Sequence, residues 1–189
     1  MTLRFVALAA LFALALTGAS MSAFEKKAEA KVEEGKPAPD VELQATQIDK
    51  VLPDRKDAKT MSLKDFQGKK NVVLFFFPKA MTPGCTIESC GFRDKVEDFA
   101  KLDTVVIGIS TDNIENQLKF TERESLKTPL FADPEKKVTT AFGALAPNGF
   151  AKRYTFVIDK KGVVRKIYTT VKPADHPAEV LAFVKDNLK

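Results

Sequence analysis

The sequence predicts an α/β domain with a central mixed β-sheet flanked by helices. Two apolar runs, 71–77 and 104–110, are rich in β-branched and aromatic residues and suit strands that are buried on both faces of a sheet. Each run is followed by a segment of helical periodicity, and this alternation implies that the two strands are parallel. A β-hairpin pattern at 153–168 then indicates an antiparallel edge.

The elements that precede the first buried strand are short. Residues 41–45 are a strand candidate, and the polar segment 47–59, which contains Pro53, is expected to be a loop or hairpin insertion. Ser62 is placed to cap a single helical turn that ends at Phe66.

A long helix is expected to follow the first buried strand, from Thr82 or Pro83 to Leu102. Four side chains share one stripe of this helix, at spacings of seven, four and three residues: Cys85, Phe92, Val96 and Phe99. Such a stripe is typical of the face that a helix turns toward the core. The sequence therefore predicts that Cys85 lies on the buried side of its helix.

The second half of the chain alternates helices and strands and ends in a helix. The expected elements are a helix at 114–124 capped by Asp112 or Asn113, a strand at 130–132, a helix at 134–142, strands at 153–158 and 163–168 around the turn 159–162, and a last helix from Asp175 or His176 to Asn187.

The N-terminus resembles a targeting signal rather than part of the fold. A short positive start is followed by a continuous apolar stretch, 5–16, and then by small residues suited to cleavage, which is the pattern of a secretory signal peptide. Twelve apolar residues are fewer than the roughly 20 that span a bilayer, so an uncleaved anchor is the weaker alternative. We expect residues 1–20 to be the signal, 21–36 a charged linker and 37–189 one domain, exported to the periplasm.

Composition and charge exclude several function classes. The 189 residues are 44% hydrophobic, which is enough to build one core, and the formal net charge is +5. Lysines and glutamates are interspersed, with no basic cluster interleaved with aromatic residues, so a nucleic-acid partner is not expected. Two cysteines and one histidine, His176, fall short of a four-ligand zinc site, and no metal or cofactor is expected. We expect His176 to be a surface residue or a helix start.

Cys85 and Cys90 are the only cysteines, and their spacing is informative. In an exported protein, two cysteines usually form a structural disulfide. On an ideal helix, however, five residues place the Cα atoms roughly 8–9 Å apart, whereas a disulfide needs them within about 7 Å. The pair therefore cannot bond while the helix is intact, which favours a bond that forms and breaks during turnover. Cys85 would also benefit from the helix N-terminus, where the partial positive charge stabilises a thiolate.

The residues around Cys85 resemble the peroxiredoxin family. The run from Pro78 to Cys85 fits the pattern P-x-x-x-T-x-x-C, and its continuation from Thr86 to Asp94 is similar to the bacterioferritin-comigratory, or Q-type, subfamily. Further similar blocks follow the chain at 35–40, 62–66, 106–110, 132–134 and 153–159. The resemblance implies a thioredoxin-like fold and thiol-dependent reduction of hydrogen peroxide and organic hydroperoxides.

The same resemblance assigns roles to individual residues. Cys85 would be the peroxidatic cysteine, oxidised to a sulfenic acid, and Cys90 the resolving cysteine that condenses with it to an intramolecular disulfide. The supporting residues would be Thr82, which hydrogen-bonds the thiolate and the peroxide, Pro78, which shields the pocket from water, Arg153, which stabilises the thiolate, and Glu88, which orders an arginine. Taken alone, Thr82 suits a helix cap, Arg153 a strand start, and Glu88 a first helical turn.

Two other readings remain open at this level. One is an exported thiol–disulfide oxidoreductase that acts on proteins, although that class usually carries C-x-x-C. The other is a non-enzymatic thioredoxin-fold module with a structural disulfide. The leading interpretation expects a thioredoxin-like or other dithiol reductant, and a monomer, because both cysteines lie in one chain. Gly91, next to Cys90, is expected to ease local unwinding, because glycine weakens a helix by about 1 kcal/mol relative to alanine.

Overall fold

The structure is a computed structural model, and it describes residues 32–55 and 57–188. Its strands are β1 (Glu42–Ala45), β2 (Thr60–Ser62), β3 (Asn71–Phe76), β4 (Thr104–Ser110), β5 (Leu130–Ala132), β6 (Thr155–Ile158) and β7 (Val164–Tyr168). The helices are α1 (Ile48–Val51), α2 (Pro83–Arg93), α3 (Val96–Lys101), α4 (Ile114–Arg123), α5 (Lys137–Ala141) and α6 (His176–Asn187), with 3₁₀ turns at Pro53–Arg55 and Leu63–Phe66. The predicted signal segment 1–20 lies outside the described residues.

The seven strands form one mixed sheet in the order β2-β1-β5-β4-β3-β6-β7. Strand β4 is parallel to β3 and to β5, while β6 is antiparallel to β3, and β7 to β6. This confirms the predicted α/β class, with its parallel centre and its hairpin edge. Strand β1 confirms the strand candidate at 41–45, and together with β2, which the sequence did not indicate, it forms a second antiparallel edge beside β5.

Both faces of the sheet are covered, and β3 shows how the chain supplies two cores. Successive strand residues point to opposite faces, so Val72, Leu74 and Phe76 belong to one core cluster. Val73 and Phe75 belong to the other, which also contains Cys85 and the aromatic side chains of α2 and α3. All six residues of β3 are buried, as expected for a central strand.

The long helix expected from Thr82 or Pro83 to Leu102 is wrong, because the chain forms two helices there. The last turn of α2 tightens, so that Lys95 N–H donates to the Phe92 carbonyl at 3.1 Å, and α3 starts anew at Val96. Phe92 and Phe99 still pack together, with ring centroids 6.0 Å apart. The interruption therefore preserves the predicted stripe, except that Val96 is only half-buried.

Three other boundaries differ from the expected ones. Segment 47–59 contains α1 and a 3₁₀ turn and links two antiparallel strands. Helix α5 begins at Lys137 rather than at residue 134, because Lys136 adopts a left-handed conformation (φ 61°) that cannot lie inside a right-handed helix. Strand β6 begins at Thr155, which leaves Arg153 in the connection before it.

The predicted helix caps at Ser62 and Asn113 are confirmed. The Ser62 hydroxyl accepts a hydrogen bond from Lys64 N–H, and Asp65 completes a capping box on the 3₁₀ turn.

The end of the predicted linker contacts the sheet. Gly35, which precedes β1 in the sequence, donates its N–H to the Val164 carbonyl of β7 at 2.7 Å. No helix within the described part of the chain is long and apolar enough to cross a membrane.

Candidate active site

The candidate site lies where β3 ends and α2 begins. Phe77 N–H still donates to the Ile109 carbonyl of β4, at 2.9 Å, after which the chain leaves the sheet. Met81 turns it with a left-handed backbone (φ 63°), an unfavourable conformation for a large side chain that is concentrated at functional loops. Pro83 then occupies the first position of α2, where its fixed φ suits a helix start.

Cys85 is the third residue of α2 and is fully buried, as the stripe predicted. Backbone N–H groups in the first turn of a helix have no acceptor within that helix. These groups and the helix dipole favour negative charge on the Cys85 sulfur. Both Cys85 and Cys90 are free thiols in this structure.

Arg153 joins the two buried functional groups of α2. Its Nη2 donates to Cys85 Sγ at 3.3 Å, and its Nη1 donates to Glu88 Oε2. Sixty-eight residues separate Arg153 from Cys85, and the pairing of β6 with β3 brings them together. The Arg153 side chain is one-fifth exposed, so solvent screens its charge only partly. This contact places a fixed positive charge against the sulfur.

Glu88 faces inward one turn after Cys85 and is fully buried. Burial raises the pKa of Glu88 to about 7, because the carboxylate loses its hydration, and Arg153 partly offsets this. Among the described residues, its Oε1 has no hydrogen-bond partner. Glu88 lies beyond the first turn of α2, where the sequence had suggested a favourable place for an acid, and it instead anchors one side of the guanidinium at the cost of burying its carboxylate.

Cys90 lies in the middle of α2 and is half-buried. Its Sγ is 3.9 Å from Glu124 Oε2, at the end of α4. Burial raises the pKa of the Cys90 thiol; Arg93 opposes this shift, while Glu124 and Asp94 add to it. The surroundings of the second thiol therefore favour its protonated form over its thiolate.

Pro78 and Thr82 flank the turn before α2, and both are half-buried. The Thr82 hydroxyl donates to the Lys79 carbonyl at 3.0 Å and makes no side-chain cap bond to α2. The structure therefore brings Cys85, Arg153 and Glu88 into contact, places Pro78 and Thr82 on the adjoining loop, and shows no hydrogen bond from Thr82 to Cys85. With its proton committed to Lys79, the Thr82 oxygen is free to accept a hydrogen bond.

Asp112, which sequence reasoning treated only as a possible helix cap, supports this loop. Asn113 is the cap of α4, and Asp112 Oδ2 instead accepts the Ala80 N–H at 2.8 Å and the Ser110 hydroxyl at 2.7 Å. The only sequence signal was a pair of polar residues at the end of a buried strand, Ser110 and Asp112. Their contact with a loop some 30 residues earlier depends on the pairing of β3 with β4.

Two glycines of α2 allow close contacts. A Cβ on Gly84 would lie 3.4 Å from Arg153 Nη2, and a Cβ on Gly91 would lie 2.8 Å from Pro177 Cγ at the start of α6. Gly91 is therefore required for helix packing, a reason separate from the expected easing of unwinding. Next to Pro177, His176 is the predicted helix start, but it is fully buried rather than on the surface.

The described residues contain no group of three His, Cys, Asp or Glu side chains that could hold a metal ion. The site presents a buried sulfur at a helix N-terminus, a guanidinium in contact with that sulfur, and a second thiol on the same helix. These groups suit attack by a thiolate on an electrophile, followed by thiol–disulfide chemistry.

Comparison with known proteins gives consistent relatives. A model of the AhpC/TSA family matches residues 34–167. The chain is 42% identical over 162 residues to peroxiredoxin Bcp of Bacillus subtilis (strain 168), covering 82% of this chain and 96% of the relative. It is 36% identical over 143 residues to peroxiredoxin Bcp of Escherichia coli (strain K12), covering 72% and 90%.

Solved structures agree with these relatives. The crystal structure of peroxidoxin BcpB from Mycobacterium tuberculosis matches with a TM-score of 0.72 and 31% identity, covering 84% of this chain and 99% of that one. A structure of the Xanthomonas campestris bacterioferritin comigratory protein, described with its alkyl peroxide reduction activity, matches with a TM-score of 0.69 and 25% identity, covering 79% and 92%.

Proposed function

We propose a catalytic cycle for this chain, which belongs to the AhpC/TSA family and is a peroxiredoxin, that is, a thiol-dependent peroxidase. Cys85 is the peroxidatic residue and Cys90 the resolving one. The observation that carries this assignment is the contact of Arg153 Nη2 with Cys85 Sγ at 3.3 Å, at the N-terminus of α2. Within the part of the chain that the structure describes, no arginine hydrogen-bonds Cys90, whose thiol contacts the Glu124 carboxylate instead.

In the first step the Cys85 thiolate attacks the terminal oxygen of a hydroperoxide. The S–O bond forms as the O–O bond breaks, the sulfur is oxidised to a sulfenic acid, and the leaving oxygen takes up a proton and departs as water or an alcohol. Arg153 and the free N–H groups of the first turn of α2 stabilise the charge that moves onto the oxygens. The Thr82 oxygen accepts a hydrogen bond from the peroxide O–H, and Pro78 shields the sulfur from water.

In the second step the Cys90 thiol condenses with the sulfenic acid. A disulfide forms between Cys85 and Cys90, and the sulfenic oxygen leaves as water with the thiol proton. Because helical spacing keeps the two residues too far apart, the first turns of α2 unwind for this bond to form. A dithiol reductant of the thioredoxin type then reduces the disulfide and restores both thiols.

Substrate range, assembly and location complete the proposal. Organic hydroperoxides are substrates besides hydrogen peroxide, by analogy with the alkyl peroxide reduction described for the X. campestris neighbour. The protein works as a monomer, since one chain supplies both thiols. It is exported to the periplasm by the segment 1–20, a proposal that rests on the sequence pattern alone.

The runner-up, a thiol–disulfide oxidoreductase for protein substrates, is not favoured, because the identified relatives are peroxiredoxins. One assay separates the two activities. The parent protein, given thioredoxin, its reductase and NADPH, should consume NADPH when hydrogen peroxide or an alkyl hydroperoxide is added, and Cys85→Ser should not. Consumption that depends on a disulfide-bonded protein substrate, and not on peroxide, would contradict the proposal.

A further inference from the structure

The resolving thiol has its own surroundings, which the peroxidase chemistry described so far does not explain. Cys90 faces the C-terminal end of α4, where its thiol lies 3.9 Å from Glu124 Oε2. One turn on, Arg93 Nη1 donates to the Glu124 backbone carbonyl at 2.6 Å. Glu124, the residue that ends α4, thus contacts the second half of α2 at two points.

The Glu124 carboxylate is well placed to act on Cys90. Its side chain is only 18% exposed, and its other oxygen, Oε1, pairs with Arg123 Nε at 3.0 Å. Oε2 therefore faces the Cys90 thiol. A carboxylate accepts a hydrogen bond from a thiol but repels a thiolate, so this arrangement favours the docked, protonated form of Cys90.

We propose that Glu124 is a positioning residue that holds the resolving cysteine docked and protonated on the intact α2 helix, and so slows disulfide formation. This inference rests on the proposed role of Cys90. Disulfide formation requires Cys90 to leave its place on α2, so the contact with Glu124 exists only before that step. A contact of this kind stabilises the starting state and not the transition state, and its removal speeds the step.

Two of the three charged groups around Cys90 also favour its protonated form. Arg93 and Asp94 face it from the C-terminal end of α2, and Glu124 faces it from the C-terminal end of α4. Arg93 favours the thiolate, but its guanidinium is also committed to the Glu124 carbonyl and to Asp94, whose Oδ1 it contacts at 2.8 Å. The two carboxylates favour the thiol. Of these two, only Glu124 is a hydrogen-bond partner of the sulfur.

The consequence is a delay at the sulfenic acid of Cys85. During that delay a second peroxide competes with Cys90, and its reaction with the sulfenic acid gives a sulfinic acid. Glu124 therefore affects how much of the Cys85 sulfenic acid is resolved to the disulfide and how much is overoxidised at high peroxide concentration.

A first experiment tests the hold on Cys90 without any peroxide. In a Cys85→Ser background, Cys90 is the sole thiol, and its alkylation by iodoacetamide across pH reports its pKa. Adding Glu124→Gln should lower that pKa and speed alkylation at neutral pH. Glu122→Gln, the same charge change at an exposed residue of α4, is the matched control and should leave both unchanged. Equal Cys90 pKa values in the Glu124→Gln and Glu122→Gln proteins would overturn the inference.

A second experiment measures resolution itself. Reduced protein receives one equivalent of hydrogen peroxide, and disulfide formation is followed by acid quench and mass spectrometry. Glu124→Gln should form the Cys85–Cys90 disulfide about two- to tenfold faster than the parent, as expected for loss of one hydrogen bond, and should accumulate less sulfinic acid in excess peroxide. An unchanged or slower rate would overturn the role of Glu124. If the parent forms no such disulfide, the proposed function fails instead.

Discussion

Arg153 serves two acceptors with two different nitrogens, and this predicts the effect of a lysine at its position. Nη2 contacts Cys85 Sγ at 3.3 Å while Nη1 contacts Glu88. Lysine keeps the positive charge but presents one nitrogen, so it cannot reproduce the fork. Losing a hydrogen bond to a charged group costs about 1.5–3 kcal/mol. Arg153→Lys should therefore slow oxidation of Cys85 by about 10- to 150-fold.

Single-turnover quenching measures this rate directly. The chain has no tryptophan whose fluorescence could report the reaction, so reduced protein is mixed with substoichiometric peroxide, quenched with acid at intervals, and assayed for remaining peroxide. The matched control is Arg165→Lys, because Arg165 also pairs with a carboxylate, that of Asp159, but lies on β7. An Arg153→Lys rate equal to that of the control would refute the argument that the guanidinium fork stabilises the reacting groups.

Three further outcomes follow from the contacts around the site. Gly91→Ala should lower the melting temperature, because a Cβ 2.8 Å from Pro177 Cγ forces a shift, and such overpacking costs up to about 3 kcal/mol against a helix gain of about 1 kcal/mol; Pro177→Ala in the same chain should restore it, and no rescue would count against the clash. Burial lowers the pKa of His176, so its contribution to stability is present above the unfolded pKa of about 6.5 and is lost as pH falls below it. Urea unfolding at several pH values should therefore show the parent losing stability relative to His176→Gln on acidification, and parallel profiles would exclude this role. Asp112→Ala leaves the Ala80 N–H without its acceptor and should slow peroxide reduction in the quench assay, whereas an unchanged rate would show that the loop holds its shape alone.

The central strands and the first thiol were predictable because their signals are local. The run 71–77 is apolar on both faces and rich in β-branched and aromatic residues, as is typical of a central strand. Cys85 follows a Pro-Gly pair at a helix start and shares a stripe with Phe92 and Phe99, which fixed its burial. The pattern that predicted each of these features lies within about 20 residues of the chain.

The rest depended on pairs that are distant in sequence. The contact of Cys90 with Glu124 spans 34 residues, and it exists because α4 ends beside the second half of α2. No periodicity reports which side chain will meet another across two elements. The break between α2 and α3 was missed for a related reason: a turn at Lys95 keeps the apolar spacing intact, so the sequence pattern is the same for one helix or two.

The most direct test of the account compares the two thiols in one reaction. Reduced parent, Cys85→Ser and Cys90→Ser each receive excess hydrogen peroxide without a reductant, and the peroxide consumed is measured together with the protein mass. We expect Cys85→Ser to consume peroxide far more slowly than the parent. Cys90→Ser should form the sulfenic acid at the parent's rate, make no intramolecular disulfide, and pass on to overoxidised forms. Peroxide consumption by Cys85→Ser as fast as that of the parent would contradict the claim that Cys85 attacks and Cys90 resolves.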